Sequence, residues 1–157
     1  MKRALLVAAA VAVIVGLFLF EPWTLFTNSR VEEAAPTVSA PKASEPTVVG
    51  KGAFVKQEHA TSGRAQLLRL ADGSHVVRLD DFATSNGPDL HVWLSEATAG
   101  GSWFKYDDAR SVALGPLKAN TGDHNYRVPA DADLDGIRSV VIWCDRFNVA
   151  FGSAPLS

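Results

Sequence analysis

From Ala4 to Phe20 no side chain is polar, and Lys2 and Arg3 stand immediately before the run. As a helix this stretch is about 26 Å long, at roughly 1.5 Å per residue. It shows no polar face at helical spacing, unlike a helix packed on the core of a soluble fold. Glu21 and Pro22 interrupt it, and Trp23, Leu25 and Phe26 resume the apolar character. A bilayer's hydrocarbon core is about 30 Å thick, so the pattern predicts a membrane span through residues 4–26. Signal-peptide cleavage needs small residues, whereas Phe18 to Phe26 are bulky. Residues 1–27 therefore read as an uncleaved signal-anchor, a single-pass transmembrane helix in the cell membrane. Lys2 and Arg3 would stay on the cytoplasmic side, leaving the rest of the chain extracytoplasmic.

Residues 28–49 lose the apolar pattern. They are rich in Ala, Pro, Ser, Thr and Glu and have no aromatic side chain. Such a composition buries too little apolar surface to offset ordering, and prolines favour extended geometry. The expectation is a disordered tether.

From residue 50 to residue 157 the pattern is that of short strands. Apolar-rich runs at 65–70 and 75–79 flank Ala71-Asp72-Gly73-Ser74, and Asp-Gly between such runs signals a hairpin. Asn86-Gly87-Pro88-Asp89 is a turn, and a strand follows at 90–94. Leu90, Val92 and Leu94 share one face there, and His91 and Trp93 the other. Residues 97–102 form a Gly-containing loop. Gly115-Pro116 and Asn120-Thr121-Gly122-Asp123 read as further turns, and Tyr126 to Val128 as a short strand. Residues 138–144 are the most β-prone run, with Val140, Ile142 and Cys144 on one face. Phe147, Val149 and Phe151 alternate in a last strand. No window shows a capped helical stripe, and no internal repeat is evident. The fold class expected is all-β, a small antiparallel β-sandwich or barrel-like domain.

Composition changes this picture little. The 157 residues are 47% hydrophobic and 20% charged, with net charge −2. The first 49 residues carry four charges of each sign, so the −2 belongs to the β domain. Nothing clusters Lys and Arg into a nucleic-acid footprint. One Cys excludes an internal disulfide and a multi-Cys zinc or iron–sulfur site.

That residue, Cys144, supports two readings. Free Cys is among the most buried residue types and packs as a small hydrophobe. A thiol outside the cytoplasm can also serve as a redox group or a thiolate ligand. If the strand continued, Arg146 would project on the same side as Cys144 and could lower its pKa. Blue copper needs two His, one Cys and usually an axial Met. The only Met is Met1 and no His follows Cys144, which argues against such a site. Haem ligation by Cys144, His59, His75, His91 or His124 stays open, but covalent c-type haem is excluded because C-x-x-C-H is missing. Asp131, Asp133, Asp135 and Gly136 match the first half of a calcium loop, while the bidentate Glu expected at its twelfth position is Ile142. No hydrolase, metalloprotease, nucleotide or dinucleotide motif occurs, so the sequence names no enzyme.

One resemblance goes further. Gly52-x-Phe54, His59-x-x-Ser62-Gly63-x-Ala65, Asp81-Phe82, Asn86 to Leu90, Leu114-Gly115-x-Leu117, Gly122-x-x-x-Tyr126 and the segment from Val141 to Leu156 follow one another in fixed order. The last contains Trp143-Cys144-x-x-Phe147-x-Val149-x-Phe151-Gly152. In this order and spacing the domain resembles the DM13 family over nearly all its length. The resemblance implies a small extracytoplasmic β-sandwich. Relatives carry such domains beside DOMON and b-type cytochrome domains, which implies an electron-transfer role with the Cys as redox group. It directs attention to Cys144, with Trp143, Phe147, Phe151, His59 and Asp89 as supporting residues, and to an electron-transfer partner that stays unidentified. The alternative is a non-catalytic binding or interaction module with a structural buried Cys.

Overall fold

The computed structural model describes residues 2–20, 27–36 and 45–157. It opens with helix α1 (Lys2–Phe20). Strand β1 (Arg30–Glu32) follows, then β2 (Thr47–Ala53), β3 (Val55–Lys56), β4 (Thr61–Arg69), β5 (His75–Thr84) and β6 (Leu90–Ser95). After the short helix α2 (Lys105–Asp108) come β7 (Ser111–Pro116), β8 (Thr121–Arg127), β9 (Ser139–Cys144) and β10 (Val149–Pro155).

The strands make two five-stranded sheets, in the orders β1-β8-β5-β4-β2 and β3-β10-β9-β6-β7. Every pairing is antiparallel except β1 with β8. The expected all-β class holds. Both sheets contribute to one core: Ala65, Leu67, Val77, Leu79 and Phe82 from the first meet Leu90, Val92, Leu94, Val140, Ile142 and Phe151 from the second. Period-2 alternation puts these residues on inward faces. The β4–β5 hairpin forms where Asp-Gly predicts it, with Gly73 at φ +84. Strand β9 is buried at all six positions. Its outer face is covered too, by a second cluster in which Tyr106, Trp103 and Trp93 pack on Val141 and Trp143.

Three expectations are corrected. Among the described residues no helix is long and apolar enough to cross a membrane. Lys2 and Arg3 take up the first turn of α1, and the apolar remainder falls short of about 30 Å. Residues 21–26, which would complete the span, lie outside the described residues. The tether is not free chain at either end. Residues 30–32 join the first sheet beside Thr121–Asp123, and residues 47–49 begin β2. A strand can recruit such polar residues because backbone groups, not side chains, make the ladder. Residues 37–44 lie outside the described residues. Finally, the turns expected at 115–116 and 120–123 lie largely within β7 and β8. Gly122 has φ +107, and a Cβ there would overlap the Val31 carbonyl oxygen. This glycine admits the close approach of β1, a use of Gly that local composition does not separate from a turn.

Candidate functional site

Cys144 ends β9, with its side chain on the core face beside Val140 and Ile142. It is paired with Leu90 of β6 on one side and Val149 of β10 on the other. Its relative exposure is 0%. The chain then turns through residues 145–148, and Asn148 takes φ +55 to reverse it. Asp145 N–H donates to the Asp89 carbonyl at 3.0 Å, tying this turn to the Asn86–Asp89 turn.

The two turns aim backbone amides at the sulfur. Burial pushes the Cys144 thiol up, and hydrogen bonds from the amides of Phe147, Arg146 and Asp89 oppose that rise without cancelling it. The predicted role of Arg146 is overturned here. The strand stops at Cys144, so Arg146 lies in the turn with its side chain exposed, and its backbone N–H meets the sulfur.

The other residues separate into distinct places. Trp143 faces the outer cluster and stacks on Trp93, with centroids 4.8 Å apart at 24°. It shares a strand with Cys144 but not a face. Phe151 lies in the main core, and the His59 ring sits on it at 3.8 Å. Burial lowers the His59 pKa. Phe147 belongs to the turn rather than the last strand, which begins at Val149, and it is 47% exposed. His124 is a core histidine, its Nε2 3.1 Å from the Thr121 carbonyl and its ring edge-on to Phe82.

Asp89 lies at the rim. His91 Nε2 stands 3.0 Å from Asp89 Oδ1 and 3.5 Å from Asp145 Oδ2. Among the described residues this is the one group of three metal-type ligands within reach of one another. Cys144 does not belong to it, so the donor set fits neither blue copper nor a haem held through the sulfur, which is fully enclosed. At the predicted calcium loop, Arg110 takes the central place: its guanidinium donates to the carbonyls of Asp133 and Asp135 and pairs with the Asp133 carboxylate at 3.2 Å. Asp131 is exposed and outside that arrangement. The sequence presents His91 as a lone histidine and Asp145 as a strand neighbour of Cys144 on the opposite face. Asp89-x-His91 on one strand face was a visible signal, but Asp145 joins only through the β6–β9 pairing.

Burial also sets the response to pH. It raises Cys144 and Tyr106, and pushes Tyr126 up to about 12. Groups raised on folding stabilise fully below their unfolded values, and that stability is lost as pH climbs through the folded ones. His59 and His124 are lowered by burial, so their contribution is present above about pH 6.5 and lost on acidification. The expected profile is a plateau between about pH 7 and 9, with a fall toward pH 12 of roughly 3 kcal/mol from Tyr126 alone. Urea unfolding across that range checks it. A flat alkaline limb in the wild type, or an unchanged limb in Tyr126→Phe, would count against it.

Neither a curated protein nor a solved structure matches the chain. A family model described as electron transfer DM13 matches residues 53–156, from the end of β2 through β10. That stretch contains the thiol, the two turns around it, all of the second sheet and strands β4, β5 and β8 of the first, and on this match the chain belongs to the DM13 family.

Proposed function

We propose that the β domain is an extracytoplasmic electron-transfer module with Cys144 as its redox group. The observation that carries the reading is the electron-transfer family match over residues 53–156. The surroundings of the sulfur support it. Backbone amides of Phe147, Arg146 and Asp89 oppose the rise that burial imposes on the thiol, and they do so without any mobile side chain. Oxidation would remove one electron to a one-electron acceptor, and the thiol proton would leave to solvent.

The same reading places the protein at a membrane through residues 4–26. Leu6, Val7, Val13, Ile14 and Phe18 of α1 are all exposed, and so large an apolar surface needs cover. Membrane fractions should retain the full chain until detergent is added. Release by salt or alkaline carbonate would reject the association.

A second reading is a binding module with an inert Cys, favoured by the complete burial of the sulfur and its raised pKa. Titration of the folded full chain with ferricyanide separates the two. The redox reading expects reduction of ferricyanide by the wild type that Cys144→Ser does not show, with matching far-UV circular dichroism. A thiol that gives no electron to ferricyanide until the protein is unfolded in urea supports the inert Cys instead.

A further inference from the structure

We propose that Asp89, His91 and Asp145 form a binding site for one divalent transition-metal ion. Copper(II) would bind most tightly and zinc(II) next, through one imidazole nitrogen and two carboxylates. The site is independent of any redox activity at Cys144.

The backbone fixes the three ligands before any ion arrives. Leu90 pairs with Cys144 in an antiparallel ladder, so the flanking Asp89 and Asp145 fall opposite one another. The hydrogen bond from Asp145 N–H to the Asp89 carbonyl holds that register at 3.0 Å. His91 lies two residues beyond Asp89 and on the same strand face. Two like charges directly opposite across a sheet destabilise it, and this pair stands at the end of two central strands. His91 Nε2 has at most one proton to share between the two acids.

A dication would meet all three groups together. Metal–ligand bonds of about 2.1 Å place tetrahedral neighbours about 3.4 Å apart. The nitrogen-to-oxygen separations of 3.0 and 3.5 Å bracket that figure. All three ligand atoms already lie within 4.8 Å of one another. The His91 side chain is 24% exposed and both Asp side chains are 45% exposed. An ion can therefore enter and keep water at an open position. Mixed imidazole and carboxylate donors suit copper(II) and zinc(II), and copper(II) leads the Irving–Williams order.

The test uses the full chain in mild detergent, stripped with a chelator, then titrated calorimetrically with copper(II) chloride alone and with zinc(II) chloride alone. One equivalent should bind. Even the loss of an outer partner of a metal ligand weakens affinity about 10–100-fold. His91→Ala and the near-isosteric Asp145→Asn should therefore each weaken binding at least tenfold. His75→Ala, in the remote hairpin, and Cys144→Ser should bind like the wild type. Electron paramagnetic resonance of the copper form should show coupling to a single imidazole. Equal binding by the wild type, His91→Ala and Asp145→Asn would overturn the proposal. An equal loss in His75→Ala, which marks adventitious surface binding, would also overturn it. Loss in Cys144→Ser would move the ion to the sulfur and overturn this donor set.

Discussion

Trp143→Ala is expected to cost about 3–5 kcal/mol of folding stability, the range for deleting a large buried aromatic side chain. Trp143 is 1% exposed although it points away from the main core. Its cover is thin: Trp93 stacks on it, and Tyr106, Trp103 and Ala97 complete the cluster. Tyr106 reaches it from α2, a helix of four residues held by the Tyr106 hydroxyl, which donates to the Thr98 carbonyl at 3.2 Å. Removing the indole thus empties the middle of a layer made of loop. The loop can collapse inward, which would bring the cost toward the lower end of the range. Trp93→Ala should cost less, because Trp93 is only half-buried. Urea unfolding gives both values, and near-ultraviolet circular dichroism should lose the signal of the stacked pair in either variant. A cost below about 1 kcal/mol for Trp143→Ala would mean that the outer cluster does not support β9. Trp143 would then have to be explained by its neighbourhood to Cys144.

The same strand shows what local pattern reveals. Its alternation assigns Val140, Ile142 and Cys144 to one face, and they lie together in the core. It says nothing of the opposite face, which is buried by residues 93 to 106 through contacts distant in sequence. The β4–β5 hairpin is legible for a related reason: Asp72-Gly73 specifies the turn within the segment it connects. Gly122 gives the opposite lesson. Its freedom serves a strand that comes from residues 30–32, with Val31 paired ninety-one positions earlier, and no local window contains that requirement.

The candidate site was legible in the same uneven way. Cys144 could be singled out as the lone Cys in a family-like segment. Its amide neighbours could not, because they depend on where β9 stops. Extending the strand by two residues put Arg146 beside the sulfur, and the turn at 145–148 removes it. Asp89, His91 and Asp145 come together only once β6 and β9 are known to be partners. Side chains placed by register need topology, whereas side chains placed by alternation need only the sequence.

Arg78→Met is expected to destabilise the fold by about 3 kcal/mol, near the low end for stripping one partner from a buried ionic network. Arg78 sits in the middle of β5 and is 8% exposed. Its guanidinium bonds Asp80 at 2.5 Å and Asp123 at 2.7 Å, and donates to Asn125 at 3.1 Å and to the Glu33 carbonyl at 3.0 Å. The Asp80 and Asp123 side chains are 17% and 26% exposed, so water relieves part of the charge left behind. Arg78→Lys should recover only part of the loss, since an ammonium cannot span four acceptors in the plane of a guanidinium. The triple variant Arg78→Met, Asp80→Asn, Asp123→Asn should be more stable than Arg78→Met alone, because it removes the unbalanced carboxylates together with their partner. Hydrogen exchange adds a local reading. The Glu33 carbonyl ties the segment after β1 to this network, while Lys118 holds the Glu33 carboxylate separately at 2.7 Å. Amides of residues 30–33 should therefore exchange faster in Arg78→Met while those of β9 keep their protection. Unchanged urea stability together with unchanged exchange at β1 would show that the network is a passive surface feature and that the parallel pairing and the Lys118–Glu33 bridge hold the N-terminal strand without it.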